Sequence, residues 1–155
     1  MHTHFGMLCF SGSWKNPLLW SHYANRHRGI CLGFDVSGPV IEKIRYVEAR
    51  TKLKLPLSED AVKDLLFTKF IGWSYEDEWR TWARLEEADK KTGLYFREFD
   101  DNLQLREVIV GPLSDISKAT IEKLVTGYGR KIYIVKGRLA YQSFSVVENK
   151  AGFRS

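Results

Sequence analysis

Residues 19–35 read LWSHYANRHRGICLGFD, and this stretch decides how the neighbouring chain is expected to fold. It joins a polar and aromatic segment at residues 19–24 to the apolar run Gly29–Asp35. Just before it, Asn16 can cap a helix whose first residue is Pro17, because asparagine accepts hydrogen bonds at helix starts and proline suits the first turn. Gly29 stops that helix. The pattern predicts a helix at residues 17–26 that leads into a buried strand at residues 30–34.

Strand-like and helix-like patterns continue through the rest of the chain. Short apolar or alternating runs predict strands, and capping residues followed by helical spacing predict helices. The strands are expected at residues 7–11, 43–48, 78–85, 94–99, 105–110, 131–135 and 139–147, and the further helices at residues 59–71 and 114–128. For residues 78–85 a helix is the main alternative. Because strands recur without a regularly alternating helix, we expect an α+β domain with a mixed, mainly antiparallel sheet and about three helices.

Length and composition favour a single domain over residues 1–155. The chain is 44% hydrophobic and 14% aromatic, which indicates a true core rather than a disordered segment. No run approaches the roughly 18 apolar residues of a membrane span, and the first residues do not resemble a secretion signal. The two cysteines, Cys9 and Cys31, lie in apolar runs. We therefore expect buried, reduced thiols and a cytoplasmic protein, with a disulfide between neighbouring strands as the alternative.

Basic residues outnumber acidic ones, giving a formal net charge of +5. They concentrate in two segments, which are Lys43, Arg45, Arg50, Lys52 and Lys54, followed by Arg130, Lys131, Lys136 and Arg138. Such segments are commonly solvated faces of strands and turns. The alternative is an anionic partner, either a nucleotide phosphate or a nucleic acid backbone.

A second concentration of polar chemistry lies at residues 73–80, where three consecutive carboxylates stand between tryptophans and next to Arg80. If a strand begins at Glu78, the side chains of Glu78 and Arg80 share one face, while Glu76 lies in the preceding turn. One carboxylate could then face a ligand hydroxyl or a developing cation. The alternatives are a surface Glu78–Arg80 pair beside a core Trp79, or a buried hydrogen-bond network that only stabilises the fold.

The spacing of histidines and cysteines gives little support to a metal site or to a cysteine nucleophile. His22 and His27 are five residues apart, rather than the four that place two imidazoles on one helix face, so no metal site is expected. A cysteine nucleophile with His22 as its base is formally available. However, thiols in strand-like apolar runs are usually inert.

These motifs, in this order, resemble a bacterial family of unknown function, the domain of unknown function family 2971. The matching segments are residues 8–11, 19–24 with His27, 29–35, 75–80 and 105–111. Longer members of that family begin with a tyrosine-rich strand and carry a later Asn-Asp-Pro segment. Neither precedes Met7 here, so relative to them the chain looks shortened at its N-terminus.

The longer members in turn are similar to ADP-ribosyltransferases. This resemblance implies an NAD-dependent transferase that serves bacterial conflict or phage defence, with NAD as its substrate and no cofactor assigned. It implies catalytic roles for Glu78, His22 and Tyr23, with the tyrosine stacking on the nucleotide and the glutamate stabilising the oxocarbenium-like ribose. The implied substrate-binding residues are Trp20, Ser21, His27, Glu76 and Arg80. The alternative is a non-catalytic module that binds nucleic acid or protein through its basic segments.

Overall fold

The structure, a computed structural model, describes residues 4–37, 41–50, 52, 55–85 and 87–153. Its elements, in chain order, are β1 His4–Ser11, α1 Pro17–Tyr23, β2 Ile30–Val36, β3 Glu42–Lys43, β4 Arg45–Val47, α2 Glu59–Leu66, β5 Thr68–Phe70, a 3₁₀ helix Ile71–Glu76, β6 Glu78–Leu85, β7 Leu103–Val110, α3 Lys118–Val125, β8 Tyr133–Leu139 and β9 Val146–Glu148. Four of the six strand pairings in these residues are antiparallel. The expected α+β class with mainly antiparallel sheets is therefore confirmed.

The chain divides into two compact units made of alternating segments. Unit 1 comprises Met1–Gly12 and Gly38–Glu98, and unit 2 comprises Ser13–Ser37 and Phe99–Ser155. The assignment of residues 1–155 to one domain stays a prediction.

Unit 1 contains a three-stranded antiparallel sheet in the order β1-β6-β3. The register places Cys9 opposite Arg80 and Ser11 opposite Glu78. A separate parallel pair joins β4 to β5. Strand β6 covers residues 78–85 as predicted, so the helical alternative is wrong.

Unit 2 is organised around β7, in which five of eight residues are buried. The sheet order is β2-β7-β8-β9, so β7 is paired on both sides. Successive side chains of a strand point to opposite faces, and the core follows this rule. Ile109 clusters with Trp20 from α1, whereas Val108 and Val110 cluster with Ile121 from α3. Strand β7 therefore has a helix against each face.

The predicted helices begin where expected or slightly later, and all end early. Asn16 Oδ1 accepts the Leu18 N–H at 2.9 Å and starts α1, but α1 ends at Tyr23 rather than at Arg26. Helix α2 ends at Leu66 rather than at residue 71, because residues 68–70 instead pair with β4 as a strand. Helix α3 spans residues 118–125 rather than 114–128, since the Ser117 hydroxyl caps it.

Several predicted strands differ from those in the structure. Residues 94–99 form no strand. The Asp89 side chain accepts N–H groups of the turn just before this segment, and within the described residues no strand pairs with it. Residues 43–48 split into β3 and β4 at Ile44, whose N–H donates to the Glu78 carbonyl. The strands predicted at residues 131–135 and 139–147 leave a break around Gly137, but this glycine lies inside β8 opposite Glu148. The turn falls at residues 140–145 instead.

The cysteine environments correct one expectation drawn from composition. Both cysteines are free thiols, but Cys9 is exposed and Cys31 only partly buried. Burial, with the nearby Glu107 charge, raises the pKa of Cys31 to about 11, so this thiol is protonated at neutral pH. Within the described residues, no helix is both long and apolar enough to cross a bilayer.

Candidate functional site

Unit 1 holds a cluster of four charged side chains, which we call the ion cluster: Lys69, Glu76, Glu78 and Arg80. Glu76 and Glu78 are only 4% and 5% exposed. Lys69 Nζ bonds to Glu76 Oε2 and, at 2.9 Å, to Glu78 Oε2. Arg80 Nε donates to Glu78 Oε1 at 2.6 Å. The prediction that Glu78 and Arg80 share one face of a strand is confirmed.

Four elements of unit 1 bring the ion cluster together. Strand β5 supplies Lys69, the 3₁₀ helix ends at Glu76, and β6 begins at Glu78. Between the two glutamates, Asp77 adopts a left-handed φ of 45°, which turns the chain from the helix into the strand. Strand β1 supplies a supporting bond, from the Ser11 hydroxyl to the Glu76 carbonyl at 2.7 Å.

The ion cluster keeps Glu78 ionised. Burial alone would raise the pKa of this carboxyl, but hydrogen bonds from Arg80, Lys69 and the Cys9 thiol outweigh it and hold the pKa at about 2. Burial opposes the charge of Lys69 too, yet its bonds to the two glutamates raise its pKa above the ordinary value. The same surroundings raise the pKa of Cys9, chiefly through partial burial of its thiol group and secondly through its bond to Glu78.

The charged side chains of the ion cluster are already paired with one another, which leaves them less available to a ligand. Two carboxylates face two cations, and both oxygens of Glu78 already accept hydrogen bonds. Such a buried network fixes the local geometry, and removing one member is strongly destabilising because another charge is left unpaired. The geometry thus agrees with the structural alternative for Glu78, Arg80 and Glu76, while a carboxylate held ionised also suits stabilisation of a developing cation.

Unit 2 holds the second group of predicted residues, around a hydrogen-bonded pair. The Ser21 Oγ lies 2.9 Å from His27 Nε2 and 3.1 Å from the Pro17 carbonyl oxygen. The other ring nitrogen, His27 Nδ1, is buried, and no hydrogen-bond partner for it exists among the described residues. Burial lowers the pKa of His27 below its ordinary value, which favours the neutral imidazole at pH 7.

The backbone between Ser21 and β2 forms a strained turn. Asn25, Arg26 and His27 have φ values of 45°, 53° and 68°, so three consecutive residues other than glycine are left-handed. L-residues normally adopt this conformation singly, at a cost of about 1–2 kcal/mol each. The structure holds them there through bonds from His27 N–H to the Trp20 carbonyl and from Leu113 N–H to the His27 carbonyl, each 3.0 Å.

Gly111, just after β7, allows the backbone of residues 27–29 to lie close to the end of that strand. A Cβ at this position would collide with the His27 carbonyl oxygen and lie 2.7 Å from the Gly29 carbonyl oxygen. Its own N–H donates to the Gly29 carbonyl at 2.9 Å. The strained turn is thus fastened to the end of β7. Strain of this kind tends to occur at functional sites.

The remaining predicted residues of unit 2 differ in accessibility. Trp20 is a core side chain, 2% exposed, and its indole N–H donates to the Trp14 carbonyl at 2.6 Å. His22 and Tyr23 lie at the exposed end of α1, with their rings edge to face at 6.2 Å. Tyr23 is 68% exposed. The structure therefore brings Ser21 and His27 together, and it brings Glu76, Glu78 and Arg80 together. Convergence of Glu78 with Tyr23 in one cleft stays a prediction.

The basic segments are largely engaged within their own units. In unit 1, Lys43 pairs with Asp77 at 2.7 Å and Arg45 pairs with Asp64. In unit 2, Arg130 pairs with Asp101, and Lys136 Nζ donates to two backbone carbonyls. Lys54 lies outside the described residues. These contacts reduce the positive charge available to a nucleic acid phosphate.

Sequence reasoning missed three residues that shape these sites. Lys69 was not singled out, and no spacing signal could have paired it with the glutamates, because β5 reaches them through its long-range pairing with β4. Tyr46, whose hydroxyl accepts the Glu78 N–H at 2.9 Å, was missed for the same reason. Gly111 had a visible signal, a glycine directly after the central apolar strand, but it was interpreted only as a strand end.

The described residues contain no group of three or more histidine, cysteine, aspartate or glutamate side chains able to hold a metal ion. No family model, no curated protein and no solved structure matches this chain.

Proposed function

We propose that this chain is an NAD-binding domain of the ADP-ribosyltransferase type. The observation that carries the proposal is the ionised, fixed carboxylate of Glu78 on the first residue of β6. As nicotinamide leaves NAD, positive charge develops on the ribose, and a carboxylate oriented in advance stabilises that charge. With a pKa of about 2, Glu78 carries its negative charge throughout the physiological pH range.

For Glu78 to meet a ribose, one of its present bonds must open. Its two cationic partners differ in accessibility, since the Lys69 side chain is 23% exposed and the Arg80 side chain 16%. Arg80 is also tied by a bond to the Leu66 carbonyl. We assign Lys69 as the partner that yields, and Arg80 as the partner that keeps Glu78 oriented.

In unit 2 the proposal assigns nucleotide contacts to the exposed end of α1. Tyr23 presents an exposed ring on which a nicotinamide or adenine can stack, an interaction worth about 1–3 kcal/mol per base. The Ser21 hydroxyl and the exposed His22 ring offer hydrogen bonds to ribose hydroxyls. A role in bacterial conflict or phage defence depends on the family resemblance alone.

Turnover tests the proposal through nicotinamide release from NAD. The wild-type chain should release nicotinamide, and Glu78→Gln should slow release by roughly 10²–10³-fold, as expected when one electrostatic group at a reacting centre is lost. The matched control is Glu42→Gln, on the neighbouring strand β3, where Glu42 forms an exposed pair with Lys63. Far-UV circular dichroism must show that both variants are folded. Equal rates in wild type and a folded Glu78→Gln would contradict the assignment.

A further inference from the structure

We propose that Ser21 is a nucleophile that His27 activates toward carboxylic esters. The inference does not require NAD binding, although it uses the hydroxyl to which we assign a ribose contact, and it concerns unit 2 alone. Its basis is the 2.9 Å separation between Ser21 Oγ and His27 Nε2, which lies within the 2.6–3.2 Å range of nucleophile and base pairs. Ser21 is exposed, so an ester can reach its hydroxyl.

The hydroxyl has two acceptors and one proton. Ser21 Oγ can donate to the Pro17 carbonyl or to His27 Nε2, and a rotation about one side-chain bond exchanges the two. In the first state the serine only bonds back onto its own helix, as serines in helices often do. In the second state the proton points at the imidazole, which is the arrangement needed for attack.

The imidazole is held in place by its backbone rather than by a third side chain. Hydrogen bonds on either side of His27, to the Trp20 carbonyl and from the Leu113 N–H, fix the strained residue that carries the ring. Because Nδ1 has no partner among the described residues, no carboxylate locks the tautomer. The pair is therefore a dyad rather than a triad. Burial favours the neutral ring, and in the tautomer that carries its hydrogen on Nδ1 the Nε2 lone pair can accept a proton.

Two exposed leucines lie beside the pair along the backbone and suit an uncharged acyl group. Leu18 lies one helical turn before Ser21 and is exposed, and Leu113, bonded through its N–H to His27, is also exposed. Residues three apart are neighbours on a helix surface. An ester with a short hydrocarbon acyl chain matches this combination of a hydroxyl, a neutral base and two leucines.

The reaction balances without a cofactor. In the first step the bond from Ser21 Oγ to the acyl carbon forms, and the ester bond to the leaving alcohol breaks. The serine proton passes to His27 Nε2 and then to the departing alkoxide. In the second step, water attacks the acyl carbon, its proton moves to His27 Nε2, and Ser21 leaves with that proton. The products are an alcohol and a carboxylic acid.

The test is acetylation by p-nitrophenyl acetate, with acid quenching and peptide mass spectrometry to locate the acetyl group. Ser37 is the internal control, because it is exposed and its hydroxyl also donates to a backbone carbonyl, that of Asp101 at 3.0 Å. Ser21 should be acetylated at least tenfold faster than Ser37. His27→Gly should lower the Ser21 rate roughly a hundredfold, the lower end for loss of a general base. Added imidazole should restore it.

Glycine is the chosen replacement because residue 27 has a φ of 68°, which glycine adopts without strain, so the variant should fold. Arg28→Ala, in the same turn, should leave the Ser21 rate unchanged. The proposal is overturned if Ser21 reacts no faster than Ser37, or if folded His27→Gly reacts like wild type. Either result would show that the hydrogen bond between Ser21 and His27 only stabilises the end of α1. Neither result bears on nicotinamide release.

Discussion

Replacing Lys69 by methionine removes the cation that bridges two buried carboxylates. Methionine keeps most of the side-chain length and can still pack against Trp73, over which the ammonium now lies at 5.3 Å. What disappears is the charge and its bonds to Glu76 and Glu78. Arg80 alone must then compensate two carboxylates. We therefore expect Lys69→Met to destabilise the fold through electrostatics rather than through a cavity.

The size of the expected loss in the free energy of unfolding follows from the burial of the two glutamates. Removing one partner of a buried ion pair costs about 3–5 kcal/mol, because the remaining charge is left uncompensated. Both glutamates are nearly inaccessible, while Lys69 retains partial exposure. This places the expected loss in the free energy of unfolding near the lower end, about 3 kcal/mol. A second substitution, Glu76→Gln, should recover part of the loss, since it removes one of the two carboxylates that Arg80 alone must otherwise compensate.

Urea unfolding followed by circular dichroism measures both effects. The matched control is Lys63→Met, because Lys63 also pairs with a glutamate, Glu42 at 2.8 Å, but both side chains are exposed. Exposed pairs contribute about 0–1 kcal/mol. If Lys69→Met and Lys63→Met lower the free energy of unfolding equally, or if Glu76→Gln adds its own loss to that of Lys69→Met, the reasoning about the ion cluster is refuted.

Two further predictions concern pH and backbone strain. Glu78 has a pKa of about 2 in the folded chain against an ordinary value of 4.5. Its contribution to the free energy of unfolding is therefore complete above pH 4.5 and is lost as the pH falls toward 2, because the unfolded chain binds the proton first. In an acid titration, Glu78→Gln should show a shallower loss of stability than wild type. Arg26→Gly should raise the free energy of unfolding by about 0.5–1 kcal/mol, because glycine relieves the left-handed strain at φ 53°, whereas Arg28→Gly should lower it by a similar amount.

Each of these predictions has a contrary result. An identical slope of stability against pH in wild type and Glu78→Gln between pH 4.5 and 2 would show that the carboxyl has the same pKa in both states. A loss of stability in Arg26→Gly as large as that in Arg28→Gly would show that the turn at residues 25–27 stores no strain. Urea unfolding at fixed temperature distinguishes the outcomes.

Local signals explain why several elements could be predicted from the sequence. Asn16 followed by Pro17 supplies both a cap and a favourable first residue, and α1 begins at that proline. The pattern of residues 105–110 predicts a strand, and β7 spans Leu103–Val110. Covering of both faces was expected of residues 30–34 instead, and this is wrong, because Ile30 and Leu32 of β2 are exposed. Alternation over residues 78–85 predicts β6 and the shared face of Glu78 and Arg80. In each case, information within one element was sufficient.

The failures share a long-range cause. Residues 68–71 continue the helical spacing of α2, yet strand pairing with β4 overrides that preference, as tertiary contacts commonly do. Residues 94–99 alternate as a strand should, but a strand also needs a neighbour to complete its hydrogen bonds, and a local pattern says nothing about the neighbour. Lys69 depends on the same β4–β5 pairing, which is why three of the four members of the ion cluster were predicted as site residues and the bridging cation was not.

The strained turn shows a second limit of local reasoning. Arg26 and His27 have no intrinsic preference for the left-handed region, and the helical spacing around them is compatible with a continued helix. Their conformation follows from bonds to Trp20 and Leu113 and from the close approach of Gly111. Thus Ser21 and His27 could be identified as polar candidates from the sequence, whereas their mutual hydrogen bond required the three-dimensional structure.

Calorimetric titration with NAD tests the proposed nucleotide binding most directly, using wild type, Tyr23→Ala and the control Tyr141→Ala. Tyr141 is likewise exposed, at 91%, but lies over Arg138 in the loop after β8. We predict saturable binding by wild type, an unchanged dissociation constant for Tyr141→Ala, and a dissociation constant for Tyr23→Ala that is raised by about 5–150-fold, the equivalent of 1–3 kcal/mol of stacking. Absence of any saturable heat with wild type, or equal affinities of the two variants for NAD, would contradict the proposed nucleotide binding.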